Sequence, residues 1–492
     1  MPAPRFDTTY RALPPRFYAP VDLVAVPAPK LVRLNEPLAA DLGLDVDWLT
    51  SPAGVEMLAG MRMPENVAPL AMVYAGHQFG GWAPRLGDGR AMLVGELVAA
   101  NGIRFDLHLK GSGPTPFSRR GDGKAGLGPV LREYIVSEAM HALGVPTTRT
   151  LAAVTTGEPV VRQRVEPGAV LARVARSHVR VGTFQYFYGQ DDRDGVERLA
   201  DYVIARHYPD EADTPMPHRG LWTRVMERQA ELVAHWMSLG FIHGVMNTDN
   251  TQVVGETIDY GPCAFMDDFH PEKVFSSIDH GGRYAWSRQP SIALWNLLRL
   301  AETLLPGLGE DEARAIAWVE AQVETFERHF DLAFGRRMRD KLGLGTARPS
   351  SRIDALVSAT LSAMTEGQVD FTLFFRRLTR AAAGAVPVEE VTALFSDPAR
   401  GASWWEQWRA TLDTEGIALP TAAATMRGVN PIFIPRNHRV EEALGAATGG
   451  NLAPFERLLK VLTRPFDEQP EHAELERSPR PDEIVHQTFC GT

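Results

Sequence analysis

Two oxygen-bearing residues, Asn250 and Asp259, could together bind a divalent cation. They lie in residues 240–261, which read GFIHGVMNTDNTQVVGETIDYG. The TQVV run after Asn250 predicts a short strand and the next glycine a tight turn, so that Asp259 faces Asn250 across a hairpin. An amide oxygen and a carboxylate suit Mg²⁺, which takes few protein ligands and completes its octahedron with substrate phosphates. We therefore expect Mg²⁺ here, or Mn²⁺, which accepts similar oxygen ligands.

The same stretch has the layout of a protein-kinase catalytic loop followed by a metal-binding Asp-Phe-Gly triplet, here Asp-Tyr-Gly. In the kinase pattern H-R-D-x-x-x-x-N, the catalytic Asp comes two residues after the His and accepts the proton of the attacking hydroxyl. In this chain His243 is followed at that position by Val245, and a carboxylate stands instead at Asp249, directly before Asn250. The metal positions are kept and the usual base is missing, which favours a kinase-shaped protein with different chemistry.

Upstream residues could bind the phosphates of a nucleotide. The glycine-rich run AGHQFGGWAPRLGDGR contains Gly87 and Gly89, which let a backbone approach phosphate closely, and ends at Arg90, whose guanidinium can grip phosphate. Apolar–polar alternation over residues 105–110 predicts a half-buried strand that delivers Lys110 to the place of the kinase phosphate-binding lysine. The alternatives are an ordinary β-turn and a solvated lysine at the end of a strand.

A helix is predicted after this strand, because apolar residues recur every four positions from Leu131 to Leu143 and Gly144 can end it. Kinase folds use a Glu on this amphipathic helix to pair the strand lysine. Both Glu133 and Glu138 are candidates for that role.

Three arginines, Arg173, Arg176 and Arg180, follow on an apolar segment. Because an unpaired arginine is costly to bury, these residues are either at the surface or ligands of an anion. A further helix from about residue 223 is predicted to end at Gly240 and to present the catalytic loop.

Composition limits the class of protein. The chain has 492 residues, of which 44% are hydrophobic and 23% charged, and a formal net charge of -10. These values are typical of a soluble protein with a large core and argue against a nucleic-acid partner. No import signal or membrane-spanning segment is recognised, so we expect a cytoplasmic protein without membrane contacts. Two cysteines exclude a disulfide scaffold and a cysteine-built zinc site.

The motif HGVMNTDN closely resembles the selenoprotein O family, also called SelO or YdiU, and further matches run from the first twenty residues to the last three. The resemblance implies a protein-kinase-like fold in which ATP binds flipped, with its α-phosphate facing the acceptor. It also implies transfer of AMP from ATP, or UMP from UTP, to Ser, Thr or Tyr hydroxyls of proteins, with release of pyrophosphate.

The resemblance also assigns roles to individual residues. It makes Asp249 the proton acceptor and Asn250 and Asp259 the metal ligands, and it favours Glu133 over Glu138 as the partner of the lysine. The implied nucleotide-binding residues are Gly87, Gly89, Arg90, Lys110, Asp122, Gly123, Arg173 and Arg180. Arg176 is left to the solvent, and without the resemblance Asp122 and Gly123 would be assigned to an exposed turn.

Two cysteines, Cys263 and Cys490, are the remaining candidates for chemistry. Eukaryotic members of the resembled family carry selenocysteine at the near-terminal position of Cys490, which implies redox chemistry there. One interpretation is a redox pair that tethers the tail beside the metal-binding segment. The other is two unrelated reduced thiols, which are normal for a cytosolic protein.

We predict an α+β, protein-kinase-like fold with a β-rich lobe, a mainly helical lobe and the nucleotide between them. The predicted divisions are an N-terminal extension packed on the fold (1–60), a glycine-rich nucleotide-binding lobe (61–165), a helical lobe with the catalytic loop and metal site (166–463) and a tail (464–492). The expected partners are ATP or UTP and protein substrates, and we expect a monomer. Two alternatives stay open, a protein kinase that uses Asp249 as a relocated base and a non-catalytic nucleotide-binding pseudokinase.

Overall fold

The computed structural model describes residues 3–162 and 164–489 and has a mixed α+β architecture. Its strands are β1 (Tyr18–Pro20), β2 (Lys30–Leu34), β3 (Leu70–Met72), β4 (Gly76–Gln78), β5 (Gly81–Ala83), β6 (Ala91–Val98), β7 (Arg104–Lys110), β8 (Ala125–Gly126), β9 (Arg149–Val161), β10 (Val165–Ala175), β11 (Phe241–Ile242) and β12 (Ala264–Phe265).

The helices are concentrated after β10. They are α1 (Glu36–Asp41), α2 (Val46–Thr50), α3 (Pro52–Leu58), α4 (Leu127–Ala142), α5 (Val181–Tyr188), α6 (Arg193–His207), α7 (Pro217–Ser238), α8 (Gln289–Leu304), α9 (Glu312–Lys341), α10 (Ser351–Gly367), α11 (Phe371–Ala382), α12 (Glu389–Thr392), α13 (Pro398–Thr414), α14 (Leu419–Arg427), α15 (Asn437–Thr448) and α16 (Ala453–Leu462). From residue 289 to residue 462 the chain is mostly helical, with the nine helices α8 to α16. Over the described residues, no helix is both long and apolar enough to cross a membrane.

One antiparallel sheet carries the first half of the site. Its strands lie in the order β1-β3-β6-β7-β10-β9-β2, and β8 pairs with β10. In the register of β7 with β10, His108 lies opposite Arg173 and Lys110 lies opposite Leu171. Because alternate residues of a strand share a face, the side chains of His108, Lys110 and Arg173 project from the same face of the sheet.

Both faces of this sheet are covered, which corrects the expectation of a half-buried strand. On one face, Leu107 and Leu109 of β7 share a core with the N-terminal helices α1 to α3. On the other, Leu171 of β10 packs in a core with α4. Residues 1–60 also supply both edge strands, β1 and β2, so part of this segment is built into the sheet.

The helix α4 is buried on nearly all sides, so the prediction that it is amphipathic is wrong. It packs on β9 and β10 and is covered again by α15 and α16 from the C-terminal part of the chain. Gly144 has φ +79° two residues after the helix ends, a backbone conformation that glycine adopts without strain. Glu133 and Glu138 are therefore both held inside the protein.

The catalytic loop lies between the short paired strands β11 and β12, after α7 and Gly240. The predicted hairpin between Asn250 and Asp259 does not form. Instead, Gln252 pairs with Arg180 and Thr257 pairs with Thr147 as isolated bridges. The local sequence predicted a hairpin, but the backbone on both sides of the turn pairs with segments that are distant in sequence.

Residues 430–437, which read NPIFIPRN, contact the loop that follows the Asp-Tyr-Gly triplet. In this segment, Arg436 is buried and forms ion pairs with Asp267 and with Asp370 at 2.9 Å. The carboxylate of Asp267 is therefore largely buried against a cation.

Candidate active site

Lys110, at the end of β7, joins the sheet to the loop after β11. Its Nζ donates to Glu133 Oε2 of α4 at 2.7 Å and to Asp259 Oδ1 at 2.5 Å. Glu138, the alternative partner, instead accepts from Arg149 at 2.7 Å. The structure thus brings Lys110, Glu133 and Asp259 together.

Arg173, only 2% exposed, completes this ion cluster from β10. Its Nη1 lies 3.1 Å from Glu133 Oε1 and 3.1 Å from Asp259 Oδ1. Burial opposes ionisation of both carboxyls, but Lys110 and Arg173 hold the pKa of Glu133 and that of Asp259 below their usual values. Both groups are therefore carboxylates at neutral pH.

His108 forms a hydrogen bond with Arg173 and fixes the orientation of its guanidinium. Arg173 Nη2 lies 3.2 Å from His108 Nδ1, and His108 Nε2 lies 3.0 Å from Asp88 Oδ2. Since a guanidinium can only donate, Nδ1 is the acceptor, and Nε2 carries the proton that is donated to Asp88. Burial lowers the pKa of His108, which agrees with a neutral ring.

Arg180 connects the proposed base to the proposed metal ligand. Its Nη1 donates to the Asp249 carbonyl at 2.7 Å and lies 3.6 Å from Asp259 Oδ2. The guanidinium also lies over the ring of Tyr74, 4.5 Å from its centroid. Arg180 therefore has a fixed orientation, with its charge directed to the loop. Arg176, which was left to the solvent, is half-buried, and its backbone N–H binds Glu256.

Asn250 and Asp259 fit a small set of hard oxygen ligands. Asn250 Nδ2 donates to the Val245 carbonyl at 3.0 Å, so its amide oxygen is the atom that could face a cation. Asp259 has φ +65°, a strained conformation that Asp tolerates better than most residues and that is common at functional sites. No cluster of three or more His, Cys, Asp or Glu side chains that could hold a metal occurs in residues 3–162 and 164–489. An Asn–Asp pair is smaller than such a cluster and suits Mg²⁺.

Asp249 lies on a 3₁₀ turn, Thr248–Asn250, and is only 7% exposed. Burial raises the pKa of its carboxyl to about 6, and the hydrogen bond from Gln78 Nε2 to Oδ2, at 3.0 Å, acts in the opposite direction. Its other oxygen, Oδ1, has no hydrogen-bond partner among the described residues. A carboxyl group whose pKa is close to the working pH can accept a proton from a hydroxyl.

The segment with Gly87, Gly89 and Arg90 leads directly into β6 beside Lys110. The Arg90 carbonyl accepts from the Gly111 N–H at 2.7 Å. Gly87 has φ +74°, and a Cβ there would stand 2.4 Å from the ring of Phe117. Close packing against Phe117 therefore explains why both positions are glycine. Their proposed contact with nucleotide stays a prediction.

Asp122 and Gly123 lie in the loop that follows β7. Asp122 is exposed and forms an ion pair with Arg162 at 2.8 Å. Gly123 has φ +68°, and a Cβ there would stand 2.0 Å from the Gly113 carbonyl oxygen. The ion cluster around Lys110 does not include either residue, and their proposed role in nucleotide binding stays a prediction.

Cys263 is buried two residues after the Asp-Tyr-Gly triplet, and burial raises the pKa of its thiol to about 11. A thiol of that kind is a poor nucleophile. Cys490 lies outside the described residues, so the redox pair stays a prediction.

Three functional candidates were missed in the sequence: Asp88, His108 and Gln78. His108 had a signal, because it stands two residues before Lys110 in an alternating strand and must share its face. Gln78 had none, since its glycine-rich run was considered only for phosphate binding. In the structure, the hairpin of β4 and β5 at the start of that run packs on the catalytic loop at residues 247–249.

The chain is similar to proteins of one described family. Residues 3–463 match the family model described as Protein adenylyltransferase SelO. A Methylorubrum populi protein, named Protein nucleotidyltransferase YdiU, is 56% identical over 494 residues and 99% of each chain. Proteins of the same name from Rhodopseudomonas palustris and Bradyrhizobium diazoefficiens are 55% and 54% identical over 488 residues, again covering 99% of each chain.

Proposed function

The chain belongs to the protein adenylyltransferase SelO family, and we propose that the site around Lys110, Asp249 and Asp259 transfers AMP from ATP to Ser, Thr or Tyr hydroxyls of proteins. The chain is a protein nucleotidyltransferase, like the family and the relatives that it matches. UTP is an alternative donor that would give UMP transfer.

One observation carries the choice of residues. A buried carboxylate, Asp249, is tied through Arg180 to the ion cluster of Lys110, Glu133, Arg173 and Asp259. Such a site has a proton acceptor on one side and, on the other, three cations, Lys110, Arg173 and Arg180, held in place by two carboxylates. Val245, at the usual kinase base position, is buried and cannot accept a proton.

In the proposed reaction, the acceptor hydroxyl attacks the α-phosphorus of ATP and loses its proton to Asp249. A new oxygen–phosphorus bond forms as the bond from the α-phosphorus to the bridging oxygen breaks, and pyrophosphate leaves. Lys110, Arg173 and Arg180 stabilise the negative charge that builds up on the polyphosphate. Because nucleotidyl transfer depends mainly on positioning and charge, removal of one such contact should slow transfer by roughly 10²–10³-fold.

Asn250 and Asp259 would hold Mg²⁺ or Mn²⁺. A cation bound there would neutralise phosphate charge and orient the polyphosphate. Asp259 Oδ1 already contacts Lys110 and Arg173, whereas Oδ2 lies 3.6 Å from Arg180, so Oδ2 would be the oxygen offered to the cation.

We infer that the nucleotide lies between two kinase-like lobes, with its α-phosphate toward Asp249. This placement is supported by the secondary-structure elements that carry the site residues. Lys110, Glu133 and Arg173 belong to the sheet and α4, whereas Asp249 and Asp259 follow α7. A nucleotide held by both sets would span the boundary between the sheet and the helices.

ATP labelled at either the α- or the γ-phosphate tests the reaction. The purified chain is mixed with host-cell lysate proteins as acceptors, and Asp249→Asn is the matched control. Label from the α-phosphate should become bound to protein, should disappear on chelation and should return with Mg²⁺ or Mn²⁺. Protein label from the γ-phosphate alone would instead establish a kinase, and no label from either position would reject transfer and favour the non-catalytic alternative.

A further inference from the structure

The hairpin of β4 and β5 is docked on the catalytic loop, although the two are far apart in sequence. Three consecutive hairpin residues contact three consecutive loop residues. The contacts are the His77 N–H to Thr248 Oγ1 at 2.7 Å, Gln78 Nε2 to Asp249 Oδ2 at 3.0 Å and the Phe79 N–H to Asn247 Oδ1 at 3.0 Å.

Gln78 differs from its two neighbours in the kind of contact it makes. His77 and Phe79 donate through the backbone N–H, which every residue except proline has. Gln78 donates through its side chain, and its partner is the carboxylate of the proposed base. Gln78 is exposed whereas Asp249 is buried, so this amide connects the protein surface to the base.

The two oxygens of Asp249 have different surroundings. Oδ2 accepts from Gln78, whereas Oδ1 is buried without a donor among the described residues. An unsatisfied buried carboxylate oxygen is costly, and the cost is removed when a hydroxyl donates to it. Gly76 lies against this oxygen, and a Cβ at position 76 would stand 2.6 Å from Oδ1. The hairpin therefore fixes one oxygen and keeps space beside the other.

We propose that Gln78 is a positioning residue for Asp249, which holds Oδ2 so that Oδ1 receives the proton of the acceptor hydroxyl. This role rests on the proposed function, because it requires Asp249 to be the proton acceptor. The proton moves to Oδ1 as the hydroxyl oxygen bonds to the α-phosphorus and the bond to pyrophosphate breaks. Gln78 itself neither gains nor loses a proton in this step.

Two substitutions at position 78 and one matched control test the proposal. Gln78→Ala removes the donor, and Gln78→Glu replaces it with a group that cannot donate and is repelled by the carboxylate. Gln190→Ala is the control, because Gln190 is also exposed and, among residues 3–162 and 164–489, its amide donates to the Tyr186 carbonyl alone, at 3.2 Å. Transfer of α-labelled ATP to lysate proteins is measured over a range of ATP concentrations, together with the melting temperature of each variant.

Gln78→Ala should lower kcat about tenfold or more, which is a fraction of the 10²–10⁴-fold that general base catalysis contributes. Its KM for ATP and its melting temperature should remain those of the wild type, and Gln78→Glu should be slower still. Gln190→Ala should transfer label at the wild-type rate.

Several results would overturn the proposal. Wild-type kcat in Gln78→Ala is one, and a loss matched by weaker ATP binding or a lower melting temperature is another, because it would indicate a purely structural contact. If Asp249→Asn is inactive while Gln78→Ala is fully active, the proposed function stands and only the role of Gln78 fails. A wild-type chain that transfers no label refutes both.

Discussion

Replacement of Arg173 by Met should destabilise the protein more than loss of any surface cation. Arg173 is almost completely buried and contacts Glu133 and Asp259, each at 3.1 Å, and His108 at 3.2 Å. Methionine preserves much of the apolar volume but none of the donors. Because removal of one partner leaves an uncompensated buried charge, the expected loss is roughly 3–5 kcal/mol of unfolding free energy.

The loss should depend on pH, and its sign follows from the carboxyl groups. In the wild type, the pKa of Glu133 is held below its usual value, so its contribution to stability is present above that value. Without Arg173, the pKa of Glu133 is higher than in the wild type, because burial still raises it and only Lys110 is left to lower it, so the carboxyl escapes part of the cost by taking up a proton at low pH. The difference between wild type and variant should therefore widen as the pH rises from the lowered pKa of Glu133 in the wild type through its higher pKa in the variant.

Thermal unfolding in a chelator at several pH values measures both effects. We expect a decrease in melting temperature on the order of 5 °C at pH 7 and a smaller decrease at pH 5. Arg336→Met is the control, because Arg336 forms an exposed ion pair with Glu231 at 2.8 Å, and such pairs contribute about 1 kcal/mol or less. If the two variants unfold at the same temperature, Arg173 does not stabilise the cluster and the reasoning is refuted.

The remaining predictions concern the metal ligand, a buried histidine and the thiols. Asp259→Asn should abolish metal-dependent label transfer while the chain stays folded by circular dichroism; transfer near the wild-type rate would reject the assignment. Burial, with help from Arg337 and Lys341, lowers the pKa of His235 to about 3, so the unfolded chain binds a proton that the folded chain does not. Stability should fall as the pH decreases below 6.5, and His235→Gln should remove up to about 1.4 kcal/mol of that loss per pH unit in chemical unfolding; an unchanged slope would contradict it. Cys263 should resist alkylation until the chain is unfolded, and an oxidised sample in which both thiols still react would exclude a bridge between Cys263 and Cys490.

Local patterns predicted the parts of the site that depend on one element at a time. The alternation over residues 105–110 positioned Lys110 at the end of a strand, and helical spacing positioned Glu133 on the next helix. The contact between them needs only that α4 packs on the sheet, as it does through Leu131 and Ile135. What the patterns did not contain is the second layer over α4, because α15 begins at Asn437 and α16 at Ala453, far along the chain from Ala142, where α4 ends.

The start of the glycine run, around Gly76, was not interpretable from sequence for a related reason. A turn that cradles phosphate and a backbone that packs against a carboxylate both require a missing Cβ, so glycine spacing cannot distinguish them. The distinction lies in what the glycine faces. Gly76 faces Asp249 Oδ1, and Gln78 bonds to the same carboxylate across 171 residues of sequence. A contact of such separation has no local periodicity, so the partner of the proposed base becomes visible only when the hairpin and the loop are seen together.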